Sequence, residues 1–71
     1  MEKVIIGGVY KHFKGKEYKV LAIAKHSETL EDVVVYQALY DVGQVWVRPL
    51  DMFLEEIEKD GKIIKRFEFV K

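Results

Sequence analysis

"VVVYQALYDVGQVWVRP", residues 33–49, is typical of two short strands joined by a tight turn. β-Branched and aromatic residues, which favour extended backbone, occupy both sides of the segment. Between them, Asp41-Val42-Gly43 ends in glycine, as three-residue hairpin loops do when the last loop residue is left-handed. The segment therefore predicts a β-hairpin, and the rest of the fold is inferred outward from it.

The loop length also predicts which side chains of this hairpin share a face. The expected cross-strand pairs are Tyr40 with Gln44, Ala38 with Trp46 and Tyr36 with Arg48. By the alternation of side chains along strands, these six lie on one face. The other face receives Val35, Gln37, Leu39, Val45 and Val47. We expect this mainly aliphatic face to form the core, and the aromatic face to look outward or line a rim.

The aromatic face carries the principal candidate site, formed by Tyr36, Tyr40, Trp46 and Arg48. Tyrosine, tryptophan and arginine dominate binding hot spots, and Arg48 over Tyr36 would be a cation–π pair of about 0.5–2 kcal/mol. Small Ala38 beside Trp46 would leave room for a planar guest. In the structural alternative, the aromatic residues only cover a small core, with their polar tips in water.

We therefore predict a non-enzymatic binding module for a peptide segment or a small planar or anionic ligand. His26 and Glu28 would frame the same site if the fold brings them to it. These two residues lie in "HSETLED", residues 26–32, a stretch rich in residues that bond to their own backbone and favour turns. We predict no cofactor.

The segments on either side extend the strand pattern. Residues 9–13 and 18–25 flank "KGKE", where a two-residue loop at Gly15-Lys16 would pair His12 with Lys19. Pro49 stops the later strand because it has no amide hydrogen for a ladder. "PLDMF" then suits one helical turn around residues 49–53, with proline near its start.

The segment after this turn fits two structures. Its apolar residues recur at helical spacing, which would extend a helix over residues 49–59. Asp60-Gly61 instead suits the two-residue turn of a third hairpin. The resulting pairs would be Leu54 with Phe67 and Glu56 with Lys65. We favour the hairpin because this register joins apolar to apolar and acid to base.

Together these segments predict an all-β domain over residues 1–71, with five or six short antiparallel strands and one helical turn. A small closed barrel is expected because closure removes the exposed strand edges of so short a chain. With 71 residues, 49% of them apolar, the chain can fill one small core but cannot also enclose a deep cleft. Any site is expected to be shallow, or shared with a partner or a second copy.

Composition excludes several classes of function. Without cysteine there is no disulfide framework and no thiolate metal site. The apolar runs are far shorter than a membrane span, which takes about 20 residues, and the first residues lack the long apolar stretch of a signal peptide. These features predict a soluble cytoplasmic protein with no membrane partner.

Charge is sorted along the chain, although the total is zero. Residues 1–25 carry a net charge of +4, residues 26–60 of −7 and residues 61–71 of +3. If the first and last strands are neighbours, one side of the domain is basic. A nucleic-acid accessory domain is therefore an alternative, with single-strand binding that weakens steeply with salt. Its contacts would come from Lys11, Lys14, Lys16 and Lys19.

A small hydrolase or metal site is the second alternative, with His12, His26 and Glu28 as its residues. Strand geometry weakens it, because neighbours such as His26 and Ser27 point to opposite faces of an extended chain. A triad instead needs nucleophile and base within hydrogen-bonding reach. In the expected register the two histidines are about 20 Å apart. We therefore assign no catalytic residue and no metal site, and an ST-turn is the favoured structure for residues 26–29.

Three longer motifs resemble a family of short bacterial proteins, domain-of-unknown-function family 1653. They are "GVYKHFKGKEYKVLAIAKHSETLEDVVVYQALY", "WVRPLDMFLE" and "DGK…RF", which cover residues 8–67 almost completely. The resemblance implies an SH3-like β-barrel and favours the hairpin over the helix after Pro49. It brings no established activity, substrate or cofactor. The family's characteristic positions map to His12, Phe13, His26, Ser27, Glu28, Thr29, Tyr36, Tyr40, Trp46 and Arg48, whereas Val42 stands where a more polar loop residue is expected.

Overall fold

Seven β-strands and one short helix make up the computed structural model, which describes residues 3–71. The predicted domain over residues 1–71 thus includes two residues outside the described part. The elements are β1 (Val9–His12), β2 (Glu17–Lys25), β3 (Asp32–Ala38), β4 (Val45–Pro49), α1 (Leu50–Phe53), β5 (Glu56–Lys59), β6 (Lys62–Lys65) and β7 (Phe67–Phe69). Nothing in residues 3–71 forms a helix with the length and apolar character that crossing a membrane requires.

The strands form two antiparallel sheets. The larger has the order β4-β3-β2-β1-β7, and the smaller is the β5–β6 hairpin. This arrangement confirms the all-β class and the helical turn after Pro49, with seven strands rather than five or six. A register shift between Val20 and Ala22 interrupts the β2–β3 ladder, and such bulges increase the local twist and bend of a sheet.

The β3–β4 hairpin has a longer loop than the sequence predicted. Tyr36 lies opposite Trp46, so the expected pairs Tyr36–Arg48 and Ala38–Trp46 are wrong by two residues. The loop over residues 39–44 is wider because Asp41 and Gly43 both adopt left-handed backbone, with φ of 50° and 71°. A shift of two residues does not change which side chains share a face.

The choice of core face was wrong, although the grouping of side chains was right. Val34 and Tyr36 point into the core, whereas Val47 is 65% exposed on the opposite face. The reason is that the other parts of the core approach from one side only. Buried side chains from five elements form this core: Tyr10, Val20, Val34, Tyr36, Phe53 and Phe67.

The β1–β2 hairpin also differs in register from the prediction. Val9, not His12, lies opposite Lys19. The loop is closed by the His12 amide, which donates to the Lys16 carbonyl at 2.8 Å. Gly15 adopts the left-handed φ of 103° that ends this three-residue loop. The observed register differs from the expected one by three residues, which is an odd number. His12 therefore shares a face with the other set of β2 side chains.

The β5–β6 hairpin confirms the favoured reading of the ambiguous segment. Glu56 lies opposite Lys65, and Asp60 and Gly61 both have positive φ, as a type I′ turn requires. The helix over residues 49–59 is wrong, since α1 ends at Phe53. The expected Leu54–Phe67 pair is also wrong, because Phe67 begins β7 and pairs with β1 opposite His12.

Candidate functional site

A pocket of about 210 Å³ opens on the inner face of the sheet, beside β3 and β4. We call it the tyrosine pocket. Its lining residues are Tyr18, Tyr36, Tyr40, Trp46 and Arg48. Four of these are the residues that the sequence grouped. Tyr18 was missed, because only the β2–β3 register, which sets it opposite Ala38, reveals that it belongs to the same face.

Arg48 enters the pocket from β4, where it lies opposite Val34. Its Nε–H donates to the Tyr36 hydroxyl at 3.3 Å. The guanidinium carbon lies 5.5 Å from the centroid of the Phe67 ring. The cation–π partner of Arg48 is therefore Phe67, and the predicted partner, Tyr36, is wrong. Within residues 3–71, no carboxylate forms an ion pair with Arg48. The guanidinium is thus oriented by neutral groups, and no acid of the described residues pairs with its charge.

Two phenols stand next to this cation. The hydroxyls of Tyr18 and Tyr40 lie 2.6 Å apart and share a hydrogen bond. Burial raises the pKa of Tyr18 to about 12, and the hydrogen bond with Tyr40 adds to the effect. Tyr18 therefore stays a neutral phenol at physiological pH. The Lys16 ammonium lies 4.9 Å from the centroid of the Tyr40 ring and adds positive charge at this side of the pocket.

Trp46 stands at the mouth of the pocket, directly across the ladder from Tyr36. It is 51% exposed, whereas Tyr36 is buried. The space expected between Ala38 and Trp46 is not part of this pocket, because Trp46 lies opposite Tyr36 and Ala38 is not among the lining residues. The open volume is bounded instead by tyrosine rings, and the indole offers an accessible aromatic surface at its rim.

His12 lies near the tyrosine pocket, on the face of β1 that also carries the buried Tyr10. Its ring centroid is 4.9 Å from that of Phe67 and 6.5 Å from that of Tyr18. Its Nδ1 accepts a hydrogen bond from the Lys14 amide at 3.2 Å. Burial lowers the pKa of His12, and the charges of Arg48, Arg66 and Lys14 lower it further. The lowered pKa favours the neutral ring at neutral pH, and the hydrogen bond that Nδ1 accepts assigns the proton to Nε2.

We expect folding to depend on pH through His12. Its pKa in the folded chain lies below the ordinary value of 6.5, so the unfolded chain binds this proton more readily. The contribution to stability is present above pH 6.5 and is lost as pH falls through the folded pKa. In an NMR titration, the His12 ring should titrate with a midpoint below 6.5. A midpoint above that value would contradict the prediction.

A second measurement separates the contribution of His12 to the pH dependence of stability from that of the carboxylates. The urea concentration at the unfolding midpoint of the wild type should decrease when the pH is lowered from about 7.5 to about 5.5. The decrease should be smaller in His12→Asn. Asparagine keeps an oxygen that can accept from the Lys14 amide but does not titrate in this range. Equal decreases in the two proteins would show that other groups cause the pH dependence.

His26 and Glu28 do not line the tyrosine pocket. They lie in the turn between β2 and β3, where His26 Nδ1 accepts from the amides of Glu28 at 3.2 Å and Thr29 at 3.3 Å. The pair that closes this turn, Lys25–Asp32, is about 20 Å along the ladder from the pair next to the pocket, Tyr18–Ala38, at about 3.3 Å per residue. No group of three possible metal ligands occurs among the described residues.

The lysines of the first hairpin are exposed, and two of them, Lys11 and Lys19, lie in the strand ladders. Lys11 lies opposite Glu17 on one side and Glu68 on the other. Lys19 lies between Val9 and Gln37, on the outer face of the sheet by alternation. The basic strands are therefore neighbours, as the charge pattern suggested, and Lys11 lies between two glutamates.

Comparisons with known proteins agree with this architecture. The family model described as "Protein of unknown function (DUF1653)" matches residues 8–69. The crystal structure of a DUF1653 protein from Bordetella bronchiseptica is similar, with a TM-score of 0.83 and 35% identity, over 93% of this chain and 87% of that one. The curated proteins give no match. By the extent of the family match, this chain belongs to the DUF1653 family of proteins of unknown function.

Proposed function

We propose that the protein is a binding module whose tyrosine pocket takes a flat group that carries an anion, such as an aromatic carboxylate. The ligand is a free small molecule or the end of a peptide segment, which present the same chemistry. The observation that carries the proposal is the Arg48 guanidinium, which Tyr36 and Phe67 orient and no carboxylate of residues 3–71 neutralises. A guanidinium is suited to bidentate hydrogen bonds with a carboxylate.

The rest of the pocket suits the flat part of such a ligand. The exposed surface of Trp46 can stack on an aromatic ring, and the phenols of Tyr18 and Tyr40 offer neutral polar groups. At about 210 Å³ the pocket is smaller than the roughly 300 Å³ at which drug-sized sites begin. A single aromatic ring with its charged substituent matches this volume better than a nucleotide does.

Binding fits these groups better than acid–base catalysis. The five lining residues are phenols, an indole and a guanidinium. A general base works best with a pKa near the operating pH, and the pKa of Tyr18 is raised to about 12. The hydrolase or metal hypothesis for His12, His26 and Glu28 stays a prediction, as does the nucleic-acid hypothesis for the lysines.

The test compares benzoate with benzamide, which have the same ring but differ in charge. In NMR titrations, benzoate should shift the Trp46 indole and Arg48 Nε resonances with a Kd of about 1 mM. Benzamide should bind more weakly. Arg48→Gln should weaken benzoate binding about ten- to a hundredfold, since hydrogen bonds to charged groups contribute about 1.5–3 kcal/mol.

The matched control is Lys19→Gln, which removes the same charge from the outer face and should leave benzoate binding unchanged. A peptide ending in phenylalanine, with a free or an amidated carboxyl terminus, separates the peptide ligand from the free molecule. Equal binding of benzoate and benzamide would refute the role of the anion. Equal loss in Arg48→Gln and Lys19→Gln would show that benzoate responds only to net charge.

A further inference from the structure

The free edge of β4 carries an inference that does not rest on the proposed function. β4 is the outer strand of the larger sheet. The Ala38 amide donates to the Gln44 carbonyl, so the backbone groups of Gln44, and by alternation those of Trp46 and Arg48, face β3. The amide and carbonyl of Val45 and Val47 consequently face the open side, where no strand of the described residues pairs with them.

This edge has few of the features that keep strand edges from pairing. Natural edges are blunted by lysine, by proline, by bulges or by very short strands, and the proline of β4 is its last residue, Pro49. β4 has five residues, its only charged side chain is Arg48, and its pairing with β3 is continuous. Trp46 and Val47 are both at least half exposed. The opposite edge, β7, has three residues, and the middle one is Glu68.

We propose that β4 is an interface between two copies of this chain, which pair their β4 strands antiparallel about a two-fold axis at Val47. Each Val47 amide then donates to the Val47 carbonyl of the other copy. Each Val45 amide donates to the Pro49 carbonyl of the other copy. Pro49 has no amide hydrogen, so the pairing ends there. The two larger sheets become one continuous sheet.

The strand is complementary to itself in this register. Val47 meets Val47, Val45 meets Pro49, and Trp46 of one copy lies opposite Arg48 of the other. The one cation of the strand thus meets an aromatic ring and not another cation, and a cation–π pair forms on each side of the axis. An axis at Val45 would instead set Val47 against Gly43, beyond the end of the strand. Self-complementarity is what a two-fold interface requires, so a second copy is the favoured occupant.

The contact is modest in size. One strand pair with its flanking side chains falls toward the low end of specific interfaces, below about 1,200 Å². We therefore expect a weak dimer with a Kd between about 10 μM and about 1 mM. Because Trp46 and Arg48 also line the tyrosine pocket, the pairing would place the pockets of the two copies on either side of the β4–β4 contact.

Sedimentation equilibrium over about 10 μM to about 2 mM tests the pairing. The apparent mass of the wild type should rise from 8.3 kDa toward twice that value. Val47→Lys should stay monomeric, because it opposes two lysines at the axis. Val42→Lys is the matched control: Val42 is 90% exposed in the loop before β4, so this variant should dimerise like the wild type. Circular dichroism would verify that both variants are folded.

Amide hydrogen exchange identifies the surface. In the wild type, exchange at Val45 and Val47 should slow as concentration rises, and in Val47→Lys the Val45 amide should remain fast at every concentration. A wild type of 8.3 kDa throughout the range would overturn the proposal. Equal association of Val47→Lys and wild type would do so as well. A dimer in which these two amides still exchange rapidly would place the interface elsewhere and also refute it.

Discussion

Phe53→Ala is expected to remove about half of the free energy of unfolding of this chain. Phe53 is 1% exposed and stacks on Phe67, with ring centroids 4.1 Å apart. The rings of Tyr10 and Tyr36 form T-shaped pairs with it, with centroid distances of 5.3 and 5.6 Å. Truncating a buried phenylalanine costs about 3–5 kcal/mol, whereas a domain of this size is stable by only about 4–10 kcal/mol. At the middle of both ranges the loss is about half of the stability of the fold.

Urea unfolding followed by circular dichroism would measure this loss. The control is Met52→Ala in the same helical turn, since Met52 is exposed and its truncation should cost no more than about 0.5–1 kcal/mol. Similar midpoints for the two variants would mean that Phe53 does not occupy the centre of the core.

Val34→Thr is expected to destabilise the fold by about 1–3 kcal/mol, because it buries a hydroxyl of nearly the same volume as a methyl group without a water partner. Val34 is fully buried, in the same core cluster as Tyr36 and Val20. Val47→Thr makes the same chemical change on the other face of the hairpin, where the side chain meets water. Its effect should stay within about 0.5 kcal/mol.

This pair of variants tests which face of the β3–β4 hairpin is the core. Both should be compared by urea denaturation at a protein concentration of about 5 μM, below the range in which β4 edges would pair. If Val47→Thr proved the more costly substitution, the aliphatic face would be the buried one, as the sequence alone suggested.

Local features of the sequence predicted the later part of the fold well. Asp60-Gly61 determines a two-residue turn, and a turn of fixed length determines the register of β5 and β6. Pro49 ended a strand and preceded one helical turn, as its missing amide hydrogen requires. The earlier hairpins were predicted as hairpins but with shifted registers, because each loop contains left-handed residues that change its effective length.

The buried face could not be predicted from the hairpin by itself. Alternation separates two faces but does not say which one receives the rest of the chain. Phe53 and Phe67 decide this question, and they come from elements outside the hairpin. The valines of β4 face water because the rest of the core packs against the opposite face of the sheet, which the hairpin alone does not reveal.

The site was predictable to the extent that it follows from alternation. Tyr36, Trp46 and Arg48 share a face in any register that differs by two residues, so their grouping survived the error in loop length. Joining His26 and Glu28 to them required knowing how β2 lies along β3. In the β2–β3 ladder, the turn that holds His26 and Glu28 lies at the end away from the pocket. The same ladder sets Tyr18 beside the pocket, opposite Ala38.

The β1–β7 pairing bears on the order in which the fold assembles. His12 and Phe67 are 55 positions apart in the sequence yet face each other in the ladder. Closing a loop of that length costs about 2–3 kcal/mol more in chain entropy than closing a three-residue turn. The sheet is therefore expected to grow from its hairpins and to acquire β7 last, after the rate-limiting step. Substitutions in β7 should accordingly speed unfolding and leave the rate of folding almost unchanged.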